Sequence, residues 1–222
     1  MDKIKIGFIT IGQSPRKDLI PEIKPFLLTH IEIVEYGLLN HMRNEEIENM
    51  SPEADEIPLV TRLRNGSQVQ LGEKKIGELL PKAIDLMKIN MDVNAVAALC
   101  THDFPKIKSA CPTIFPYDYL QFLINCILEP RKLGVVIPLE NQFEMAKKKW
   151  GSDRTIVEVK SPYAEDKTWE KIAENFAQKE AGAILLDCIG YKLKDRQAIQ
   201  RSIKIPTLLP RTILAFAINQ LF

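Results

Sequence analysis

Three chemically reactive side chains follow a single apolar run in the sequence VAALCTHDFP, residues 96–105. Cys100 carries a thiol, Thr101 a hydroxyl and His102 an imidazole; a thiolate can accept a proton, a hydroxyl can donate a hydrogen bond, and an imidazole titrates near neutral pH. A second cysteine, Cys188, ends the apolar run AILLDC (183–188). The two cysteines are therefore the first candidates for chemistry.

Short apolar runs alternate with helical patterns along the chain. IKIGFIT (4–10) and KLGVVIP (132–138) are β-branched runs of the kind that forms parallel strands buried on both faces. The alternating runs HIEIVEYG (30–37) and RTIVEVKSPY (154–163) follow them. Strands separated by helix-length segments predict parallel βαβ units.

The two halves of the chain then continue in the same order. Helical patterns come next, with apolar residues at Ile76, Leu79, Leu80, Ala83, Leu86 and Met87 in the first half and at Trp169, Ile172, Phe176 and Ala177 in the second. AVAALC (95–100) then corresponds to AILLDC, cysteine on cysteine, and PTIFP (112–116) corresponds to PTLLP (206–210). We therefore predict an α/β fold of two pseudo-symmetric Rossmann-like lobes with parallel sheets and a cleft between them.

The repeat also sets the expected domain boundaries. The first lobe is expected over 1–115, completed by a C-terminal helix over 210–222, and the second lobe over 116–209. The first lobe carries an insertion at about 41–73, in which LVTRLRNGSQVQLG (59–72) predicts a β-hairpin that turns at Asn65-Gly66 in a type I′ turn.

Two arginines of this hairpin have an open role. Period-two alternation places Val60, Arg62 and Arg64 on one face of the hairpin. The arginines could clamp a carboxylate or pair with a second subunit in a homodimer, whereas a solvated face is the commoner meaning of such charges.

Ligands of open parallel sheets bind beyond the carboxyl ends of the strands. The predicted symmetry would place Cys100 and Cys188 at equivalent strand ends, on opposite sides of one cleft. The dipoles of the following helices would favour a thiolate there. One thiolate and one thiol could then remove a proton from one face of a substrate carbon and return one to the other face.

The segment TIGQSPRKD, residues 10–18, follows the first predicted strand. Ser14 is expected to be a helix N-cap with Pro15 at the first helical position and Arg16 in the first turn. Free backbone N–H groups beside a cation predict an anion site, for which we also expect Thr10 and Gln13 as lining residues. Because no glycine-rich phosphate motif is present, a carboxylate is the expected ligand.

Composition excludes several classes of protein. The 222 residues are 45% hydrophobic and 27% charged, with a net charge of +1, which is ordinary for a globular chain. The two signs of charge are nearly balanced, so we expect no nucleic-acid partner. The N-terminus does not have the features of a signal peptide. No apolar run reaches the about 20 residues needed to span a membrane. We expect a cytoplasmic protein with reduced cysteines.

Other interpretations of the cysteines and histidines are less favoured. Cys100, His102 and Cys111 lack the C-x-x-C pair and second histidine of a zinc site, so no metal is expected. A papain-like pair, with His102 activating Cys100, is the other alternative for that segment. Cys126, in YLQFLINCILEP, is expected in the core. His30 and His41 are expected in surface or loop positions.

The chain resembles the AroM family along nearly its whole length. The similarity lies in TIGQSPRKD, LVTRLRNGSQV, LCTHDFP, LGVVIPLENQ, LLDCIGY and PTLLPRTILA. AroM proteins look like distant relatives of the aspartate/glutamate racemase superfamily, whose two lobes each contribute a cysteine. The resemblance implies that Cys100 and Cys188 form the catalytic pair, that Thr101 donates to a substrate carboxylate with Gln13 and Ser14 in the same role, and that no cofactor is needed.

One motif departs from the superfamily pattern. The second-lobe cysteine of those racemases is typically followed by Thr-His, whereas Cys188 is followed by Ile189-Gly190-Tyr191. The second substrate hydroxyl is therefore either missing or replaced by Tyr191. We expect His102, Gly190 and Tyr191 to line the site.

Two functional hypotheses follow from the resemblance. One is a cofactor-independent racemase or isomerase, or a related decarboxylase, acting on a small carboxylic acid through the cysteine pair. The other is a non-catalytic protein that binds a carboxylate metabolite linked to aromatic amino-acid metabolism.

Overall fold

The computed structural model describes residues 3–128, 131–164 and 169–222. Its strands are β1 (Ile4–Thr10), β2 (Ile31–Gly37), β3 (Pro58–Arg62), β4 (Gln68–Gly72), β5 (Ala95–Ala98), β6 (Thr113–Ile114), β7 (Lys132–Ile137), β8 (Thr155–Val159), β9 (Ala181–Leu186) and β10 (Thr207–Leu208). Its α-helices are α1 (Ile20–Ile23), α2 (Asn44–Glu48), α3 (Glu73–Met91), α4 (Pro116–Leu128), α5 (Phe143–Trp150), α6 (Trp169–Gln178), α7 (Leu193–Ser202) and α8 (Pro210–Leu221).

The chain divides into two compact units. The first unit comprises Met1–Pro116 and Leu214–Phe222, and the second comprises Tyr117–Ile213. Helix α8 therefore starts in the second unit and continues, from Leu214, as part of the first.

Each unit contains one four-stranded parallel sheet, and the two sheets have the same topology. The spatial order is β2-β1-β5-β6 in the first unit and β8-β7-β9-β10 in the second. In both units the first strand lies between the second and the third, and all the pairings are parallel. The predicted α/β class and repeat of Rossmann-like lobes are confirmed, while a cleft between the lobes stays a prediction.

Burial along the strands follows their position in the sheets. Residues 6–10 of the inner strand β1 and 133–137 of the inner strand β7 are buried without interruption, because helices cover both faces of a parallel sheet. The edge strand β2 is only half-buried over most of its length.

The two predicted amphipathic helices form where the apolar spacing placed them. Helix α3 buries Ile76, Leu80, Ala83, Ile84 and Met87, and α6 buries Trp169, Ile172, Ala173 and Phe176. The assignment of Ala177 to the buried face is wrong, because Ala177 is exposed and Ala173 takes the core position.

The insertion of the first unit contains α2 and the antiparallel hairpin β3–β4. Leu59 and Leu71 anchor the hairpin in the core of this unit. The hairpin confirms the prediction, but its turn is not of type I′: only Gly66 has a positive φ, of 88°, and Asn65 does not. The Gly66 N–H donates to the Leu63 carbonyl at 2.9 Å, and the Asn65 side chain accepts from the Ser67 N–H at 2.9 Å, so a three-residue loop closes the hairpin.

The expectation that Cys126 lies in the core is wrong. Helix α4 buries Tyr117, Leu120 and Ile124, which follow helical spacing along one face. Cys126 falls off that face and is exposed, as is Phe122.

The last residues of α8 are anchored on the first unit. The Asn219 side chain donates to the Phe26 carbonyl at 2.7 Å and accepts from the Leu28 N–H at 3.1 Å. The His30 ring lies 3.1 Å from the Phe222 carbonyl oxygen, in a partly buried loop position. None of the helices described here combines the length and apolar character needed to cross a bilayer.

Candidate functional site

Cys100 lies two residues beyond the end of β5, at the carboxyl edge of the first sheet. The Leu99 N–H donates to the Ile9 carbonyl at 2.8 Å, which keeps the emerging chain beside β1. Cys100 is partly buried and packs against the core of the first unit, and Thr101 is buried. The strand-end position predicted for this thiol is confirmed.

His102 is oriented by the carboxylate of Glu73, which follows the hairpin of the insertion. Its Nε2 lies 3.1 Å from Oε2 of Glu73, the first residue of α3, and its side chain is 9% exposed. Burial, together with the charge of Glu56, raises the pKa of Glu73. Phe104 packs edge-on against the imidazole, with ring centroids 4.7 Å apart. A cavity of about 560 Å³ between α3 and residues 102–108 has His102 and Glu73 in its wall.

The expected helix start at Ser14 is wrong. The first helix begins only at Ile20, and the carbonyl of Arg16 instead accepts hydrogen bonds from the Leu19 and Ile20 N–H groups. The Ser14 N–H donates to the Asn40 side chain at 2.8 Å, and the Arg16 N–H donates to Glu35 at 2.6 Å. The chain's own side chains thus occupy the donors that a helix-terminal anion site would have offered.

The same loop is fixed by further contacts from distant segments. The Gln13 side chain donates to the Leu39 carbonyl at 3.2 Å and accepts from the Arg64 N–H at 2.9 Å. The Arg64 guanidinium donates to the Ser14 carbonyl at 2.8 Å. Asn40 also donates to the Ser14 hydroxyl, at 2.9 Å, so that hydroxyl keeps its own proton for another acceptor.

Arg16 is buried, and its charge is balanced within the loop. Its Nε and Nη2 donate to the two carboxylate oxygens of Asp18, both at 2.8 Å, and its Nη1 donates to the hydroxyl of Thr10 at 2.8 Å. Thr10, Gln13, Ser14 and Arg16 are therefore brought together in one loop, but Arg16 is one half of an ion pair. Burial alone would raise the pKa of Asp18, but the hydrogen bonds and charge of Arg16 outweigh it and lower that pKa below 3.8.

We expect this pair to stabilise the protein only while Asp18 is ionised. Because its pKa is lowered in the folded state, its contribution is present above about pH 3.8 and is lost as the pH falls through the folded-state value. The stability difference between the wild type and Asp18→Asn should therefore be constant near neutrality and shrink on acidification below pH 4. Urea unfolding from pH 7 to pH 3 measures it.

A matched control for this titration is Asp153→Asn, at an exposed position of the second unit. In this variant, the free energy of unfolding should change with pH in parallel with that of the wild type. A difference between wild type and Asp18→Asn that persists unchanged at the acid end would contradict the prediction.

The two hairpin arginines interact with other residues of the first unit and do not simply form a solvated face. Arg64 lies in the turn beyond β3, where its guanidinium holds the Ser14 loop; Arg62 is partly buried, and its charge acts on Asp18. Both line a cavity of about 240 Å³ with Arg16 and Asp18. A homodimer contact through these residues stays a prediction.

Cys188 occupies the same position in the second unit as Cys100 in the first, two residues beyond the third strand of its sheet. It is 7% exposed and begins a tight turn in which the Tyr191 N–H donates to its carbonyl at 3.3 Å. The Gly190 N–H donates to the Cys188 Sγ at 3.4 Å. A Cβ at Gly190 would lie 2.9 Å from the Tyr163 hydroxyl, so a side chain here would disturb the turn.

The expectation that Tyr191 offers its hydroxyl to a substrate is not supported by its position. Tyr191 is completely buried, and its hydroxyl donates to the Lys160 carbonyl at 2.5 Å. Burial raises the tyrosine pKa well above 10.0, and the neighbouring ionisable groups Cys188 and Asp187 act in the same direction. The hydroxyl therefore holds the Cys188 turn in place.

Two buried cations beside Cys188 were missed by sequence reasoning. Lys149 donates to both carboxylate oxygens of Asp187, at 2.9 and 3.0 Å, and the Trp150 indole N–H donates to the second oxygen at 2.6 Å. Arg211, in the first turn of α8, is completely buried and donates to the Ile189 and Gly190 carbonyls at 2.9 and 3.0 Å. The only sequence signal for a role of Asp187 was its place next to Cys188 in LLDC. Arg211, a single arginine after a proline, gave no sequence signal of its role.

Each unit thus contains one group of candidate site residues, around Cys100 in the first and around Cys188 in the second. That Cys100 and Cys188 face each other across a cleft stays a prediction. In the described residues, no three or more His, Cys, Asp or Glu side chains are grouped as metal ligands.

Residues 6–222 match the family model described as AroM protein. No curated protein matches the chain by sequence. Among solved structures the chain is similar to allantoin racemase from Pseudomonas fluorescens (TM-score 0.64, 12% identity, covering 98% of this chain and 90% of that one). It is also similar to glutamate racemase from Francisella tularensis subsp. tularensis SCHU S4 in complex with D-glutamate (TM-score 0.56, 14% identity, 100% and 81%) and to arylmalonate decarboxylase (TM-score 0.57, 12% identity, 97% and 90%). These likenesses show that the chain shares its fold with these three enzymes.

Proposed function

Because the chain belongs to the AroM family, we propose that it is a cofactor-independent enzyme of racemase or isomerase type, which moves a proton on a small carboxylic acid through Cys100 and Cys188. One observation carries the proposal: two thiols stand at the same position beyond the same strand of two topologically identical sheets. The carboxyl ends of parallel strands are where such folds bind ligands. The fold shared with racemases and a decarboxylase supports the same conclusion.

The proposed reaction consists of two proton transfers without any change of oxidation state. The thiolate of one cysteine takes the proton from the carbon next to the carboxylate, so a C–H bond breaks, an S–H bond forms, and the electron pair passes into the carboxylate group. The thiol of the other cysteine then gives its proton to the opposite face of that carbon. The Gly190 N–H, bonded to the Cys188 sulfur, stabilises negative charge on that thiolate.

The first unit would supply the carboxylate-binding groups. Ser14 keeps a hydroxyl proton available for a carboxylate oxygen, and Thr101 lies beside Cys100 as a second donor. Arg16 would act through the rigidity of the loop and not as an uncompensated cation, because Asp18 balances its charge. His102, held by Glu73, would be a further polar group at the same strand end.

A solvent-exchange screen tests the proposal across whole classes of carboxylic acid. Dicarboxylates, amino acids and hydroxy acids are incubated with the protein in D₂O, and deuterium at the α-carbon is measured by NMR. We expect one compound class to exchange, and the same compounds to protect Cys100 and Cys188 from alkylation. Ligands that bind and protect but never exchange would contradict the catalytic proposal.

The position of Tyr191 favours one second candidate, a non-catalytic carboxylate-binding protein. That hydroxyl is buried and donates to the Lys160 carbonyl, so Tyr191 does not replace the threonine that follows the cysteine in the racemase pattern. This candidate predicts a rise in melting temperature with a carboxylate ligand, no α-proton exchange, and unchanged binding in Cys188→Ser.

A further inference from the structure

We propose that Arg211 is a positioning residue that stabilises the thiolate of Cys188 through the peptide group between Ile189 and Gly190. Arg211 is completely buried, and its Nη2 donates to the Ile189 carbonyl at 2.9 Å and to the Gly190 carbonyl at 3.0 Å. A buried guanidinium is costly unless acceptors surround it, so its placement at this turn needs a reason.

The geometry of one peptide group supplies the reason. The Ile189 carbonyl and the Gly190 N–H belong to the same trans peptide, so they point in opposite directions. Arg211 holds the carbonyl end, and the N–H end is directed at the Cys188 Sγ, 3.4 Å away. A cation bonded to the oxygen polarises the peptide, which strengthens its N–H as a donor to a negative sulfur.

Two hydrogen bonds and one packing contact keep this peptide group from flipping. The Tyr191 N–H closes the turn onto the Cys188 carbonyl, and the Tyr191 hydroxyl ties the turn to the Lys160 carbonyl. On the other side, Tyr163 and Pro162 pack against Gly190 so closely that a Cβ would lie about 3.0 Å from them. The Gly190 N–H is therefore fixed toward the sulfur before any ligand binds.

Other charged groups act on the same thiol. Among the described residues, the ionisable groups near the turn, besides Arg211, include Asp187 with its partner Lys149, Asp195, Tyr163 and Tyr191, and the Lys160 ammonium lies over the ring of Trp169. Asp187 and Asp195 would oppose a thiolate, Lys149 balances the charge of Asp187, and Tyr191 adds no charge near neutrality, since burial raises its pKa further above 10.0. The guanidinium is linked to the sulfur by hydrogen bonds at the two ends of one peptide group.

The role of Arg211 rests on the proposed function of Cys188 as a proton carrier, but its test needs no substrate. The rate at which iodoacetamide alkylates Cys188 is followed from pH 6 to pH 10, with peptide mass spectrometry to separate this thiol from Cys100, Cys111 and Cys126. The midpoint of the pH–rate profile reports the thiolate. Arg211→Met, Arg211→Lys and the exposed control Arg201→Met are compared with the wild type.

We expect the wild-type midpoint to lie below the ordinary thiol value of about 8.5. Arg211→Met should raise this midpoint by about one pH unit, because the charge-assisted hydrogen bond from the guanidinium to the Ile189 carbonyl is lost. Arg211→Lys should raise the midpoint by less, since an ammonium keeps the positive charge but not the planar set of N–H donors of a guanidinium. The control Arg201→Met should leave the midpoint unchanged.

Three results would overturn the assignment. They are a wild-type midpoint at or above 8.5, a folded Arg211→Met with an unchanged midpoint, and, where the methionine variant fails to fold, a folded Arg211→Lys with an unchanged midpoint. A loss of stability alone would move the melting temperature without moving the midpoint. An unchanged midpoint would leave the proposed function intact, whereas normal turnover in Cys188→Ser would refute that function and leave the Arg211 effect standing.

Discussion

Replacing Cys188 by serine is expected to slow α-proton exchange on a substrate by about 10²- to 10⁴-fold, the usual contribution of a general acid–base group. A serine hydroxyl nearly matches the thiol in shape but is far less acidic, so it forms no anion near neutral pH. Cys100→Ser should have an effect of the same size. Each variant should also lose exchange mainly for the enantiomer whose proton its cysteine removes, which deuterium labelling of the separated enantiomers measures.

The exposed thiol of the second unit provides the matched control. Cys126 lies on the outer side of α4, so Cys126→Ser should leave exchange unchanged while removing the most accessible alkylation site. If Cys188→Ser turned over normally while Cys100→Ser did not, the two-thiol mechanism would be wrong. The chemistry would then belong to Cys100 alone, as in a one-cysteine decarboxylase or isomerase.

Replacing Asp187 by alanine is expected to destabilise the second unit by about 3–5 kcal/mol. The Lys149 and Asp187 side chains are 6% and 2% exposed, so the ammonium left behind would keep its charge in a desolvated place. The Trp150 indole N–H would lose its acceptor as well. Urea unfolding measures the loss, and Arg43→Ala, at an exposed ion pair, should change stability far less.

The charge pair can be separated from the hydrogen bond by a double-mutant cycle. Lys149→Met with Asp187→Asn removes both charges but keeps an amide oxygen for the Trp150 indole. The double variant should lose clearly less stability than the sum of its single variants, because each single variant leaves one buried charge unpaired and the double variant leaves none. Strict additivity would mean that the two charges contribute no coupling energy and would contradict the prediction.

The strands and the repeat were predictable because burial on both faces leaves a local sequence signature. IKIGFIT and KLGVVIP became β1 and β7, and the match of AVAALC to AILLDC gave the equivalent positions of Cys100 and Cys188. Cys126 was misplaced although a local signal existed. The helical spacing of Tyr117, Leu120 and Ile124 already puts position 126 off the buried face.

The site loops were not predictable because distant residues determine them. Ser14-Pro15 has the local pattern of a helix start, but Asn40 and Glu35 bind the backbone donors of Ser14 and Arg16, and the helix starts later. Arg211 acts on residues about twenty positions away in the sequence, and nothing in PTLLPRTILA indicates which carbonyls it binds. Such contacts become visible only when the chain is folded.

The discontinuity of the first unit has a consequence for synthesis on the ribosome. The second unit, Tyr117–Ile213, is one continuous segment, whereas the first needs Leu214–Phe222, which emerge only after the whole second unit. At about 5–20 residues per second, the nascent first unit waits roughly 5 to 20 s for that segment. Its missing piece includes Leu214, Ala215, Ala217 and Ile218, all fully buried in the finished protein, and Asn219, which bonds to Phe26 and Leu28. The N-terminal part is therefore made first and completed last, and it is the part for which a chaperone that binds nascent chains should matter most.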